Sequence, residues 1–197
     1  MPRISADTIE EHVANQRAAA LDAAIALFLE RGYRNVTLAD IAARIGLARN
    51  SLYRYFPDKT HFLVEWFHRT IPTTITAWQA ATSPPGAPTE RLHRWALTYL
   101  DWANTPEHDL IRPLIEALPD LDPATRDAIA AEHAEMMQIV ADTVADTGIP
   151  AADIPATVEL LAGLVLGAAR TPKPNPQLRQ RLLNAITALA QPLTERP

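Results

Sequence analysis

The feature that most narrows what this chain can become is proline punctuation of an otherwise helical pattern. Ala, Leu and Ile recur at helical spacing and β-branched alternation is nearly absent. Pro57, Pro84, Pro85, Pro88, Pro106, Pro119, Pro123, Pro150, Pro155, Pro172, Pro174 and Pro176 fall between the periodic segments. Proline has no amide donor and clashes with the helical turn before it, so each cluster marks a boundary. Helical spacing puts apolar side chains on one face, whereas a half-buried strand needs strict alternation. The expected fold is all-α with about nine helices, counted from these start and stop signals. At 197 residues such a chain buries a core without staples, and no internal repeat suggests a solenoid. It contains no cysteine, which excludes disulfides, thiolate catalysis and cysteine-built zinc sites.

The first helix is expected from about Val13 to Arg31, with Leu21, Ala24, Ile25 and Phe28 on one face and Gly32 ending it. Thr37, with Asp40 three residues on, reads as the N-cap of a short second helix carrying Leu38, Ile41, Ala42 and Ile45, in a variant of the capping box. Gly46 supplies the turn, and a third helix carries Arg49 to Tyr55. Asp58 caps a fourth, which continues through Phe62, Leu63, Trp66 and Phe67 towards Trp78 and is expected to kink or break at Pro72. Later helices are expected near Thr89 to Ala103, Glu107 to Leu118, Pro123 to Thr147, Ile154 to Arg170 and Gln177 to Gln191, with Pro113 interrupting the sixth.

A net charge of −5 argues as a sum against nucleic acid, because phosphates attract cations. The distribution says otherwise. Arg31, Arg34, Arg44, Arg49, Arg54 and Lys59 face only Asp40 and Asp58, while the chain from His61 onward holds ten Lys/Arg against sixteen Asp/Glu. That is a basic head on an acidic body.

Two short amphipathic helices joined by a glycine turn form a helix-turn-helix, whose second helix enters the major groove while the first braces it. Ala42 lets the helices approach, Gly46 turns the chain, and Leu47 and Leu52 anchor the second helix. Its outer face offers Arg49, Asn50, Ser51, Tyr53, Arg54 and Tyr55. Arginine bonds guanine bidentately and asparagine does so with adenine, while hydroxyls position the protein on the backbone. Arg44 and Arg54 fit DNA contacts and solvated surface charges equally well. Arg3 and Arg17 suit a minor-groove arm or an unstructured tail.

The stretch GYRNVTLADIAARIGLARNSLYRYFPDKTHFL, Gly32 to Leu63, resembles the DNA-binding signature of the TetR (tetracycline-repressor) family. It shares the glycine after the first helix, the threonine opening the second, Ile-Ala within it, the turn glycine, Leu-Tyr then Phe in the third helix and the lysine opening the fourth. The resemblance implies phosphate contacts at Thr37, Tyr53, Tyr55 and Lys59, and base contacts at Arg49, Asn50 and Ser51. Ala48 stands where the family commonly has serine or threonine, so the third helix lacks its side-chain cap, and Asn50 stands where glycine is frequent. A DNA-binding domain over residues 1–58 and a ligand-binding and dimerisation domain over 59–197 follow.

In the body, VELLAGLVLGAAR from Val158 to Arg170 is apolar on nearly every face. Its Ala162, Gly163, Leu166 and Gly167, with Leu182, Ile186 and Leu189 of the last helix, are expected to form a four-helix seam between two copies. Trp78, Trp95, Tyr99, Trp102, Arg112, Glu116, His133, Met136 and Met137 are as a group candidate lining of a pocket for an apolar or aromatic small molecule, although any one of them taken singly reads first as ordinary core. The family resemblance implies a repressor that binds a palindromic double-stranded operator as a homodimer and is released by such an effector. A ligand-independent DNA-binding or interaction module is the alternative. No metal or other cofactor is expected. Scattered histidines without HExxH spacing, a phosphate loop or a nucleophile elbow argue against an enzyme. No run of eighteen apolar residues and no signal peptide are seen, so a cytoplasmic protein without a membrane partner is expected.

Overall fold

The computed structural model describes residues 6–171 and 175–192; the expected breaks at Pro172 and Pro174 and the arm residue Arg3 lie outside them. Among the described residues every regular element is helical. The α-helices are α1 (Ala6–Arg31), α2 (Leu38–Arg44), α3 (Arg49–Leu52), α4 (Thr60–Thr82), α5 (Pro88–Ala103), α6 (Ile111–Ala117), α7 (Pro123–Ala145), α8 (Ile154–Ala169) and α9 (Pro176–Leu189). Short 3₁₀ turns cover Tyr33–Asn35, Pro106–Leu110, Leu118–Asp120 and Ala151–Asp153.

α1 begins at Ala6 rather than near Val13, and three further differences from expectation have local reasons. The third helix is α-helical only to Leu52 and finishes in turns, the amides of Tyr55 and Phe56 both bonding Leu52 O at 2.9 Å. Pro72 does not interrupt α4; it is exposed, and one lost amide bond within a 23-residue helix is outweighed by the buried face on either side. Pro113 does not break α6 either. The irregular turn comes earlier, at Pro106–Leu110, and Pro113 falls in the first turn of α6, where its missing amide would have had no helical partner.

The chain forms two compact units. One runs to Arg69 and includes Asp109–Arg126. In it α1 packs on α2 and α2 on α3, around the buried side chains of Leu21, Phe28, Ile41, Leu52, Phe56, Phe62 and Leu63. Phe56 stacks on Phe62 at 3.8 Å between centroids, and the Arg17 guanidinium lies 5.2 Å over Phe56. Ion pairs Arg17–Glu65 and Arg69–Asp22, both at 2.6 Å, tie α1 to α4 at the surface; exposed pairs of this kind each contribute at most about 1 kcal/mol.

The other unit comprises Thr70–His108 and the chain from Asp127 onward. Here α5, α8 and α9 pack on one another over Leu92, Trp95, Leu161, Val165, Leu182 and Ile186. The segment Ala151–Ala169 is long and apolar enough, by length and composition alone, to cross a membrane. In this fold it packs against α5 and α9 instead.

Candidate nucleic-acid interface

The head is built on two glycines. Gly32 (φ 81°, ψ 141°) ends α1 and Gly46 (φ 70°) turns the chain between α2 and α3, both at positive φ that residues with a Cβ rarely adopt. After Gly46 the amide of Leu47 folds back to Ala42 O at 2.9 Å. Thr37 caps α2 in a complete capping box. Its hydroxyl accepts from the Asp40 amide at 3.2 Å, and the Asp40 carboxylate accepts from the Thr37 amide at 2.8 Å and hydroxyl at 2.6 Å. These bonds, the Thr37 hydroxyl first, hold the Asp40 carboxyl below its ordinary range. Asp58 caps the start of α4, accepting from the His61 amide at 3.1 Å and ring Nδ1 at 2.9 Å.

Leu52 is fully buried and Phe56 nearly so, so α3 hangs on these two anchors while its other side faces outward. Ala48 provides no side-chain cap. Arg49, Asn50, Tyr53 and Arg54 are exposed, and Ser51 and Tyr55 half-buried. Arg49 Nη2 donates to the Tyr53 hydroxyl at 3.0 Å, with the guanidinium 5.8 Å over the same ring, and Arg54 lies 5.9 Å over Tyr55. The result is a short ridge of two arginines, each laid along a tyrosine, with Asn50 between them in sequence. Such groups match base edges and phosphates.

Two other candidates are engaged within the protein. Arg44 donates twice to Glu30 of α1, at 2.7 and 3.2 Å, and these bonds hold Glu30 below the usual carboxylate range. The Lys59 amine donates to the carbonyls of Tyr33 and Val36 at 2.8 and 2.9 Å. Sequence reasoning overlooked Tyr33 and Glu30 as partners, because no local spacing links either to Lys59 or Arg44.

The effector candidates divide. Trp78, Trp95, Tyr99 and Trp102 form one aromatic cluster in the second unit: Trp78 meets Trp95 edge-on at 5.5 Å, Tyr99 lies 4.9 Å from Trp78, and Trp102 stacks on Tyr99 at 5.8 Å. Trp78 and Trp95 have no accessible surface, so no water-sized space touches either ring and both are packed core. Their indole nitrogens have no hydrogen-bond partner; the edge-on geometry leaves the neighbouring π-face as what an N–H can meet. Met136 is buried, Met137 and Trp102 half-buried, and His133 exposed. Arg112 and Glu116 belong to the first unit, where they pair at 3.0 Å and Glu116 also accepts from Arg34 at 3.0 Å. Among the described residues, no group of three His, Asp or Glu is placed to hold a metal.

Of the seam candidates, Leu182 and Ile186 are buried in the chain's own core. Gly163 and Gly167 are exposed, and Ala162, Leu166 and Leu189 half-buried. Leu160, which sequence reasoning did not single out, is 57% exposed. Gly163, Leu164, Gly167, Ala168, Leu178, Arg181, Leu182 and Ala185 line a shallow groove between α8 and α9.

Residues 20–65 match the family of bacterial regulatory proteins, tetR family. The HTH-type transcriptional repressor KstR of Mycolicibacterium smegmatis is 35% identical over 78 residues, which is 40% of this chain and 38% of KstR. Nucleoid occlusion factor SlmA of Haemophilus influenzae is 31% identical over 107 residues, 52% of this chain and 48% of SlmA. The chain thus spans less than half the length of the curated relatives it matches. A solved regulatory protein in the tetR family from Rhodococcus RHA1 superimposes with a TM-score of 0.73 at 20% identity, over 90% of this chain and 98% of that one. PfmR of Thermus thermophilus, a TetR family transcriptional regulator, gives 0.68 at 18%, over 89% and 99%. At such identities the likeness is one of fold.

Proposed function

We propose that this chain, whose residues 20–65 match the tetR family and whose fold resembles a solved member of it, represses transcription as a homodimer on a palindromic operator and is released by a small, largely apolar or aromatic effector. One observation carries the DNA-binding reading: α3 is anchored by Leu52 and Phe56 and turns Arg49, Asn50, Tyr53 and Arg54 outward. In this reading Arg49, Asn50 and Ser51 read base edges, Thr37, Tyr53 and Tyr55 hold the backbone, and Arg44 joins them by exchanging its Glu30 partner for a phosphate. A four-residue helix covers about 6 Å of groove, too little for specificity, so two heads are needed. The exposed small residues Gly163 and Gly167 with Leu160 support pairing through α8 and α9. The site of action is the cytoplasm, where the DNA is.

The effector is assigned to the second unit, beside Tyr99 and Trp102, and acts by preferring the arrangement of heads that does not fit DNA. A ligand-independent regulator is the second reading, favoured by the absence of water-sized space against Trp78 and Trp95.

The test is selection of bound duplexes from a random library at stated salt, with sizing of the complex. A palindromic site bound by two copies is expected. No sequence preference at any salt overturns the reading. Operator affinity unchanged across a panel of apolar and aromatic molecules selects the ligand-independent form.

A further inference from the structure

Lys59 occupies the position where the resemblance implies a phosphate ligand, yet its amine is committed inside the head. It donates to Tyr33 O at 2.8 Å and Val36 O at 2.9 Å, and the ammonium sits 4.2 Å from the centroid of the Tyr33 ring. The hydroxyl of that ring is 3.2 Å from Thr60 Oγ1, at the start of α4. The ring pairs edge-to-face with Phe28 of α1, 5.1 Å between centroids. Lys59 is half-buried, and burial holds its amine below the ordinary lysine range.

The groups joined here bracket the segment proposed to read DNA. Tyr33 and Val36 precede the Thr37 cap of α2, and Lys59 immediately precedes α4. Between them in the chain lie α2, the Gly46 turn and α3. An ammonium has three donors; two are taken by carbonyls and the ring face occupies a further side. Reaching a phosphate would strip two charge-assisted bonds from half-buried ground, and such bonds are roughly twice as strong as neutral ones.

We infer that Lys59 is a positioning residue: it clasps the two ends of the helix-turn-helix together and sets how α3 is presented, without itself contacting the DNA backbone. The inference rests on the DNA-binding reading above, but the clasp also has a consequence for folding that needs no DNA.

The test compares Lys59→Met, which keeps length without donors, and Lys59→Arg, which keeps charge and reach but not a compact ammonium. Each is titrated with a duplex selected by the unsubstituted protein, from 50 to 200 mM salt, and unfolded in urea. A clasp predicts that both variants bind about tenfold more weakly with an unchanged slope of log affinity against log salt. It also predicts that the unfolding equilibrium constant rises about tenfold, as expected for losing hydrogen bonds to a charged group. A phosphate ligand predicts a slope reduced by about 0.9 in Lys59→Met, near-normal binding by Lys59→Arg and unaltered unfolding; that result overturns the inference. If the unsubstituted protein selects no duplex, the DNA-binding reading fails by itself, and unfolding alone then decides: an unchanged unfolding constant refutes the clasp.

Discussion

Replacing Leu52 with alanine is expected to melt α3 while most of the head stays folded. The helix has four residues and Ala48 gives it no side-chain cap. Starting a helical turn is unfavourable by a factor of about 10⁻³, roughly 4 kcal/mol, and four residues leave almost no propagation to offset that. What holds α3 is therefore tertiary: Leu52 has no accessible surface and Phe56 only 1%. Truncating a buried leucine costs about 2–5 kcal/mol through lost transfer energy and the cavity left behind. Loss and nucleation cost are of the same size, so removing this one anchor suffices to release the turn. Amide exchange is the direct assay, because the amides of Tyr55 and Phe56 both bond Leu52 O. Their protection is expected to fall by about 30-fold or more, equivalent to roughly 2 kcal/mol, while amides within α1 keep theirs. Arg49→Ala is the companion, expected to shift stability by no more than about 0.5 kcal/mol while weakening DNA binding. Protection at Tyr55 and Phe56 within about threefold of the unsubstituted protein would refute the argument that one tertiary anchor maintains α3.

Ala48→Ser supplies the missing cap: Ala48 already has extended backbone geometry (φ −69°, ψ 142°), so a stabilisation of about 0.5–2 kcal/mol is expected, read as a higher urea midpoint. Burial, with the Glu159 charge second, pushes the Tyr99 hydroxyl from 10.0 up to about 12. Because the folded value is the raised one, stability is intact below pH 10 and falls as pH climbs through 12, by roughly 2.7 kcal/mol for this group. Tyr99→Phe is expected to flatten that alkaline limb in unfolding curves, and an unchanged slope would show that Tyr99 does not supply it.

Short-range rules were enough for much of this protein. Most helix boundaries after α3 followed from the proline clusters, the Thr37–Asp40 box from a three-residue spacing, and the turn from Gly46. All of these interactions reach no further than about one helical turn, so the amino-acid order alone specifies them. Two errors had the same short-range origin: proline was treated as a breaker at Pro72 and Pro113 without regard to buried faces or position within the first turn.

What lay beyond the sequence was which partner a side chain finds across the fold. Arg44 and Lys59 read as free cations until tertiary structure set Glu30 beside one and the carbonyls of Tyr33 and Val36 beside the other. Trp78 and Trp95 are side chains a pocket wall could equally use, and only the folded structure showed that both are fully buried. Leu182 and Ile186 lie on the apolar face of α9, but a face is apolar whether it meets its own core or a second chain. Periodicity tells which side chains avoid water; the tertiary structure decides what they meet there.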